Sequence, residues 1–99
     1  MKHELKTDPE VFSAVMRGDK RFEIRFNDRG YEAGDTLFLR KTKYTGKAMA
    51  EGAPLEYTGA CCTVRALYVM RGPVYGLEEG WCIVSISEPL IRGVSRSAL

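Results

Sequence analysis

The spacing of apolar positions changes once near the start of the chain, and that change separates a helix from a strand. Val11, Phe12, Val15 and Met16 recur at helical spacing on one face. The residues before them, Thr7-Asp8-Pro9-Glu10, contain two overlapping start signals. Asp8 can cap with Pro9 at the first helical position, or Thr7 can cap with Glu10 closing a capping box. Gly18 follows as the stop, so the pattern predicts a helix over residues 8 to 17. From Arg21 the period becomes two: Phe22, Ile24 and Phe26 alternate with Arg21, Glu23, Arg25 and Asn27. This predicts a half-buried strand, its apolar set turned to the core and its charged row turned to water. A further strand, carrying His3 and Lys6, precedes the helix and packs beside it.

The remaining elements follow from the same alternation. Asn27-Asp28-Arg29-Gly30 and Ala33-Gly34-Asp35 read as turns, and Thr36-Leu37-Phe38-Leu39-Arg40 as a strand. Residues 41 to 56, with Gly46, Gly52 and Pro54, read as a long exposed hairpin or loop. A longer strand covers residues 59 to 71, with Cys62, Val64, Ala66, Tyr68 and Met70 on one face, and Gly72-Pro73 ends it. Trp81-Cys82-Ile83-Val84-Ser85-Ile86 is nearly continuously apolar, which places it centrally in the sheet with Trp81 in the core. Residues 91 to 99 read as a fraying end. Only the first strand is followed by a helix long enough for a parallel crossover, so antiparallel pairing is expected. The predicted fold is α+β, a small antiparallel β-barrel with one N-terminal helix, in one domain spanning residues 1 to 99.

Composition narrows the setting. Hydrophobic residues make up 44% of the chain and charged residues 28%, which argues against intrinsic disorder. Fifteen Lys and Arg against thirteen Asp and Glu leave +2 at pH 7, so nucleic-acid binding would have to come from a local patch. The start of the chain lacks the apolar run of a signal peptide, and nothing approaches a membrane span, so a cytoplasmic location is expected. The three cysteines, Cys61, Cys62 and Cys82, are an odd number. Adjacent Cys61 and Cys62 point to opposite faces of a strand, so neither a metal site nor a disulfide is expected, and the thiols read as small apolar side chains. No cofactor motif is present.

Candidate chemistry gathers where the helix meets the strand. Lys20, Glu23 and Arg25 are a lysine, a carboxylate and an arginine at one corner, a set able to hold an anion or hydrogen-bond a base edge. A solvated, salt-paired strand face is the plainer reading of the same spacing. Lys6 and His3 lie within reach of that corner, His3 as a general base or as a hydrogen-bonded structural histidine. A second cluster, Arg40 to Lys47, includes Lys41, Lys43 and Tyr44, cations beside an aromatic ring suited to phosphate contact and base stacking. It also reads as a solubilising loop.

Taken together, five blocks resemble a known family: His3-Glu4-Leu5-Lys6, Gly18-x-Lys20-x-x-Glu23-x-Arg25, Asn27-Asp28-Arg29, Ala33-Gly34-Asp35-Thr36-Leu37 and Gly80-Trp81-x-Ile83-Val84-x-Ile86. They look like the small phage and bacterial DUF3850 proteins, which are similar to ASCH domains of the PUA-like superfamily. The likeness covers roughly residues 3 to 40 and 59 to 87. It implies a PUA-like barrel with a cleft beside the helix, and a role in binding RNA or a nucleotide. One ASCH-type branch removes the acetyl group from N4-acetylcytidine. Its catalytic lysine corresponds to Lys20, but its catalytic threonine corresponds to Glu23, which breaks the direct carry-over. Three functions are therefore expected in turn: a non-catalytic RNA or nucleotide binder, a small hydrolase of a modified nucleoside or RNA using Lys20 and Glu23, and a phage accessory protein that binds a host protein.

Overall fold

In the computed structural model, which describes residues 1–94, a mostly β architecture carries two helices. The elements are β1 (Lys2–Thr7), α1 (Pro9–Arg17), β2 (Phe22–Phe26), β3 (Thr36–Thr42), α2 (Gly46–Ala50), β4 (Tyr57–Arg71), β5 (Trp81–Ile86) and β6 (Ile91–Val94). The strands run in the order β1-β3-β4-β5-β2, with β6 added against β4. The sheet is α+β in class but does not close, because β1 and β2 are its two unpaired ends.

Two of its pairings differ from a purely antiparallel meander. β1 lies parallel to β3, in a register that sets Leu5 against Leu39. The α1–β2 segment supplies the crossover that a parallel pair requires, so the parallel pair falls at the one connection the sequence left long enough for it, and the other pairs are antiparallel as expected. Ile91–Val94 pairs with β4 rather than fraying, and residues 95–99 lie outside the described residues.

α1 begins and ends where its sequence signals stand. Asp8 is the N-cap, Pro9 opens the helix, and Gly18 closes it in the left-handed conformation at φ 83°. The Asp8 carboxylate does not cap the helix, but accepts from the Gly46 amide at 2.9 Å and so ties α1 to α2. α2 occupies part of the stretch expected to be an exposed loop. Thr45 caps it by accepting from the Ala48 amide, and Lys47 through Ala50 are good helix formers after that cap.

Phe12 and Val15 of α1 pack with Leu5, Leu37, Leu39, Val64, Val84 and Ile86 in the core. β4 serves both halves of the sheet, and one extra residue between Ala66 and Tyr68 breaks its register. That bulge flips the alternation: Cys62, Val64 and Ala66 face the core, whereas beyond it Val69 packs inward and Tyr68 is exposed. The face expected to run from Cys62 to Met70 is therefore inward only as far as Ala66.

Candidate functional site

The strand after α1 is turned over relative to the expectation. Phe22, Ile24 and Phe26 are 44%, 50% and 54% exposed, whereas Glu23 is 3% exposed. A period of two names two faces but not which one is buried, and a one-residue change of register exchanges them. Here the register pairs Glu23 with Val84 and Arg25 with Cys82, residues on the inward side of β5. The charged row therefore faces inward, and the sheet's own neighbours hold it there.

A carboxylate withdrawn from water needs partners on both oxygens. Lys20 Nζ donates to Glu23 Oε1 at 2.9 Å, and Arg25 Nε donates to Oε2 at 3.2 Å. Lys20 also donates to the Phe22 carbonyl and lies over the Phe22 ring. Arg25 reaches across the opening of the sheet, where its Nη2 donates to the Lys6 carbonyl at 2.8 Å. Arg29 does the same one step along, donating to the Glu4 carbonyl at 2.6 Å. Two guanidinium groups thus satisfy two carbonyls on the free edge of β1 and span the space between the sheet's ends.

A cleft of about 380 Å³ lies in that space. Lys6, Thr7, Asp8 and Val11 line it from the β1–α1 side, and Lys20, Glu23, Ile24, Arg25 and Phe26 from the β2 side, together with Trp81 of β5. Three cations face two carboxylates in it. Trp81 and Phe26 meet edge to face with centroids 5.9 Å apart. Trp81 is thus a half-exposed cleft wall and not a core residue. Its apolar neighbours in sequence concealed this, although the stretch from Gly76 to Gly80 before it reads as a turn.

The structure brings Lys6, Lys20, Glu23 and Arg25 into one site and leaves the other candidates outside it. His3 points into the core, where its Nε2 lies 2.8 Å from Asp35 Oδ2 and its ring packs edge-on against Tyr31. The His3 contact, together with donation from the N-terminal amine and the Glu32 amide, holds the Asp35 carboxyl down at about 2 despite burial. This is a latch between β1 and the turn before β3. Lys41 lies near the Phe12 ring, Lys43 is 3.9 Å from Glu56, and Tyr44 is exposed near α2. Arg40, beside them in sequence, is buried over the Tyr57 ring at 3.6 Å and forms an ion pair with Glu4.

The cysteines lie away from the cleft. Cys62 and Cys82 belong to the core cluster, and burial pushes the Cys62 thiol up to about 11. Among the described residues, no group of three or more His, Cys, Asp and Glu side chains is placed to hold a metal ion. No helix of the described residues is long and apolar enough to cross a membrane.

An open mixed sheet with a charged cleft between its end strands defines a class of small α+β protein. The chain belongs to the family described as Domain of unknown function (DUF3850), whose model matches residues 2–86. It is also similar to a protein of Escherichia phage P2, described as "Uncharacterized 12.9 kDa protein in GpA 3'region", at 49% identity over 39 residues. That match takes in 39% of this chain and 36% of the phage protein, so the chain spans about a third of that relative's length.

Proposed function

We propose that the protein is a nucleotide- or RNA-binding module akin to the ASCH domains of the PUA-like superfamily, and that its ligand enters the cleft between β1 and β2. The observation that carries this reading is the buried Glu23 with a cation on each carboxylate oxygen, set in the wall of an open cleft. A protein gains little stability from burying such a triad compared with apolar residues of the same volume, so its placement at a cleft favours a binding role. Lys20 and Arg25 are partly exposed and keep donor capacity for phosphate or for a base oxygen. Trp81 and Phe26 supply an aromatic wall for a base. The same reading places the protein in a reducing cytoplasm, its buried thiols acting as small apolar groups.

The test is affinity for nucleotides and short RNAs against salt, for the wild type, Lys20→Ala and Arg25→Ala. Removing one cation that pairs with a phosphate lowers the salt slope by about one unit. Folded variants that bind with wild-type affinity and slope would refute the assignment.

Hydrolysis is the second reading, favoured by the 2.9 Å contact between Lys20 and Glu23. Both oxygens of Glu23 already accept from cations, which disfavours proton abstraction from water and ranks binding first. Acetate release from N4-acetylcytidine by the wild type, abolished in Glu23→Gln, would reverse that order.

A further inference from the structure

We infer that the cleft reads its ligand through the backbone of Ile24, whose N–H and C=O, without a partner among the described residues, form a donor–acceptor pair matching the hydrogen-bonding edge of a nucleobase. The inference rests on the reading of the cleft as a nucleotide site and adds the means of base recognition.

The phase of the β2–β5 ladder decides which backbone groups of β2 face its open edge. In an antiparallel pair, alternate residues exchange backbone bonds with the partner strand, and those between turn their N–H and C=O the other way. The Ile86 amide donates to the Arg21 carbonyl at 3.0 Å, and the Asn27 amide donates to the Gly80 carbonyl at 2.7 Å. In the register between those points, Glu23 and Arg25 bond to β5. Phe22, Ile24 and Phe26 therefore turn their backbone groups toward the open side of the sheet. The cleft is lined by four consecutive residues, Glu23 to Phe26, whose side chains alternate between the two faces. A space bounded by successive residues of one strand runs along its edge, so those backbone groups border the cleft.

Most of that edge is already occupied. The Phe22 carbonyl accepts from Lys20 Nζ, and the Phe26 carbonyl accepts from the Asp28 amide at 2.9 Å. Across the gap, Arg25 and Arg29 occupy the Lys6 and Glu4 carbonyls of β1. Among the described residues, Ile24 alone of the three keeps a donor and an acceptor side by side. A peptide adding as a new strand needs such pairs at successive alternate residues, and this edge has one. One pair suits a planar group with an adjacent acceptor and donor, as uracil, cytosine, adenine and guanine all carry on their pairing edges. Trp81 lines the same cleft and can stack on the base, while Lys20 and Arg25 line it beside Ile24 for the phosphate.

The experiment titrates ¹⁵N-labelled protein with the four nucleoside 5′-monophosphates, and then with the tightest binder methylated at N3 of a pyrimidine or N1 of a purine. The expected result is a large shift of the Ile24 amide with the unmodified nucleotide and about tenfold or greater weakening on methylation. Ile24→Pro, which removes the outward N–H at an edge-strand position, is expected to weaken binding comparably, with Ile24→Val as the folded control and unmoved Lys20 and Arg25 amides showing that Glu23 before the proline keeps its place. Methylated and unmodified nucleotides binding alike, with the Ile24 amide unmoved, would overturn the edge reading and leave the cleft assignment standing. Failure of all four nucleotides to bind would overturn both. An extended peptide that shifts the Ile24 amide where nucleotides do not would also overturn both, and would identify the edge as a strand-docking site.

Discussion

Glu23 is where the chemistry of this protein is concentrated, because one carboxylate links the helix–strand corner, the inward face of β2 and the cleft. Lys20 and Arg25 remain partly hydrated, so neutralising their partner leaves charges that water can still reach. Glu23→Gln is accordingly expected to cost about 1–2 kcal/mol in urea unfolding, less than stranding a fully buried charge. An unchanged or raised midpoint would show that the triad adds nothing to the fold. Asp35 makes the opposite kind of prediction. Its carboxyl titrates near 2 in the folded protein against an ordinary value of 3.8, held down first by the His3 contact and then by the N-terminal amine. Its contribution to stability is therefore full above about pH 4 and is lost as the pH falls toward 2. Urea midpoints should drop across that window in the wild type, and the drop should be shallower in Asp35→Asn. Parallel curves would contradict the latch.

At the scale of elements, local signals and tertiary ones divide cleanly. The start of α1 at Asp8-Pro9, its stop at Gly18 and the change of period after it were all legible, because each depends on neighbouring residues alone. The inward face of β2 was not. Phe22, Ile24 and Phe26 outweigh Glu23 and Arg25 in hydrophobicity, and only the register against Val84 and Cys82 turns them outward. Trp81 was misplaced for the same reason, and the phase of β4 past Ala66 depended on a bulge that its sequence does not announce. The turn into β5 gives a direct test. Gly80 has φ 88°, and a Cβ there would lie 2.7 Å from Phe26 Cε1. Gly80→Ala is expected to cost about 1–2 kcal/mol through backbone strain and to displace the Phe26 ring from Trp81. Trp81 is the only tryptophan, so its fluorescence reports the cleft wall without interference. A variant with wild-type emission and stability would mean that this wall is less constrained than the geometry implies.

At the scale of the whole molecule, the open sheet and the cleft are one feature. Closing β1 onto β2 would pair their edges and leave no space between them. Instead, Arg25 and Arg29 bridge the opening to the Lys6 and Glu4 carbonyls of β1 while Lys20 and Glu23 face the space that remains. The corner formed by Lys20, Glu23 and Arg25 was legible as a cluster, and Lys6 as its neighbour. The basic segment from Arg40 to Lys47 was equally legible as charge, but the fold places it outside the cleft. Binding in the cleft is tested most directly by a map of amide shifts as ¹⁵N-labelled protein is titrated with a short single-stranded RNA. Shifts are expected to concentrate at residues 6–11, at residues 20–26 and at Trp81. Shifts confined to residues 40–47, or none at all, would contradict it.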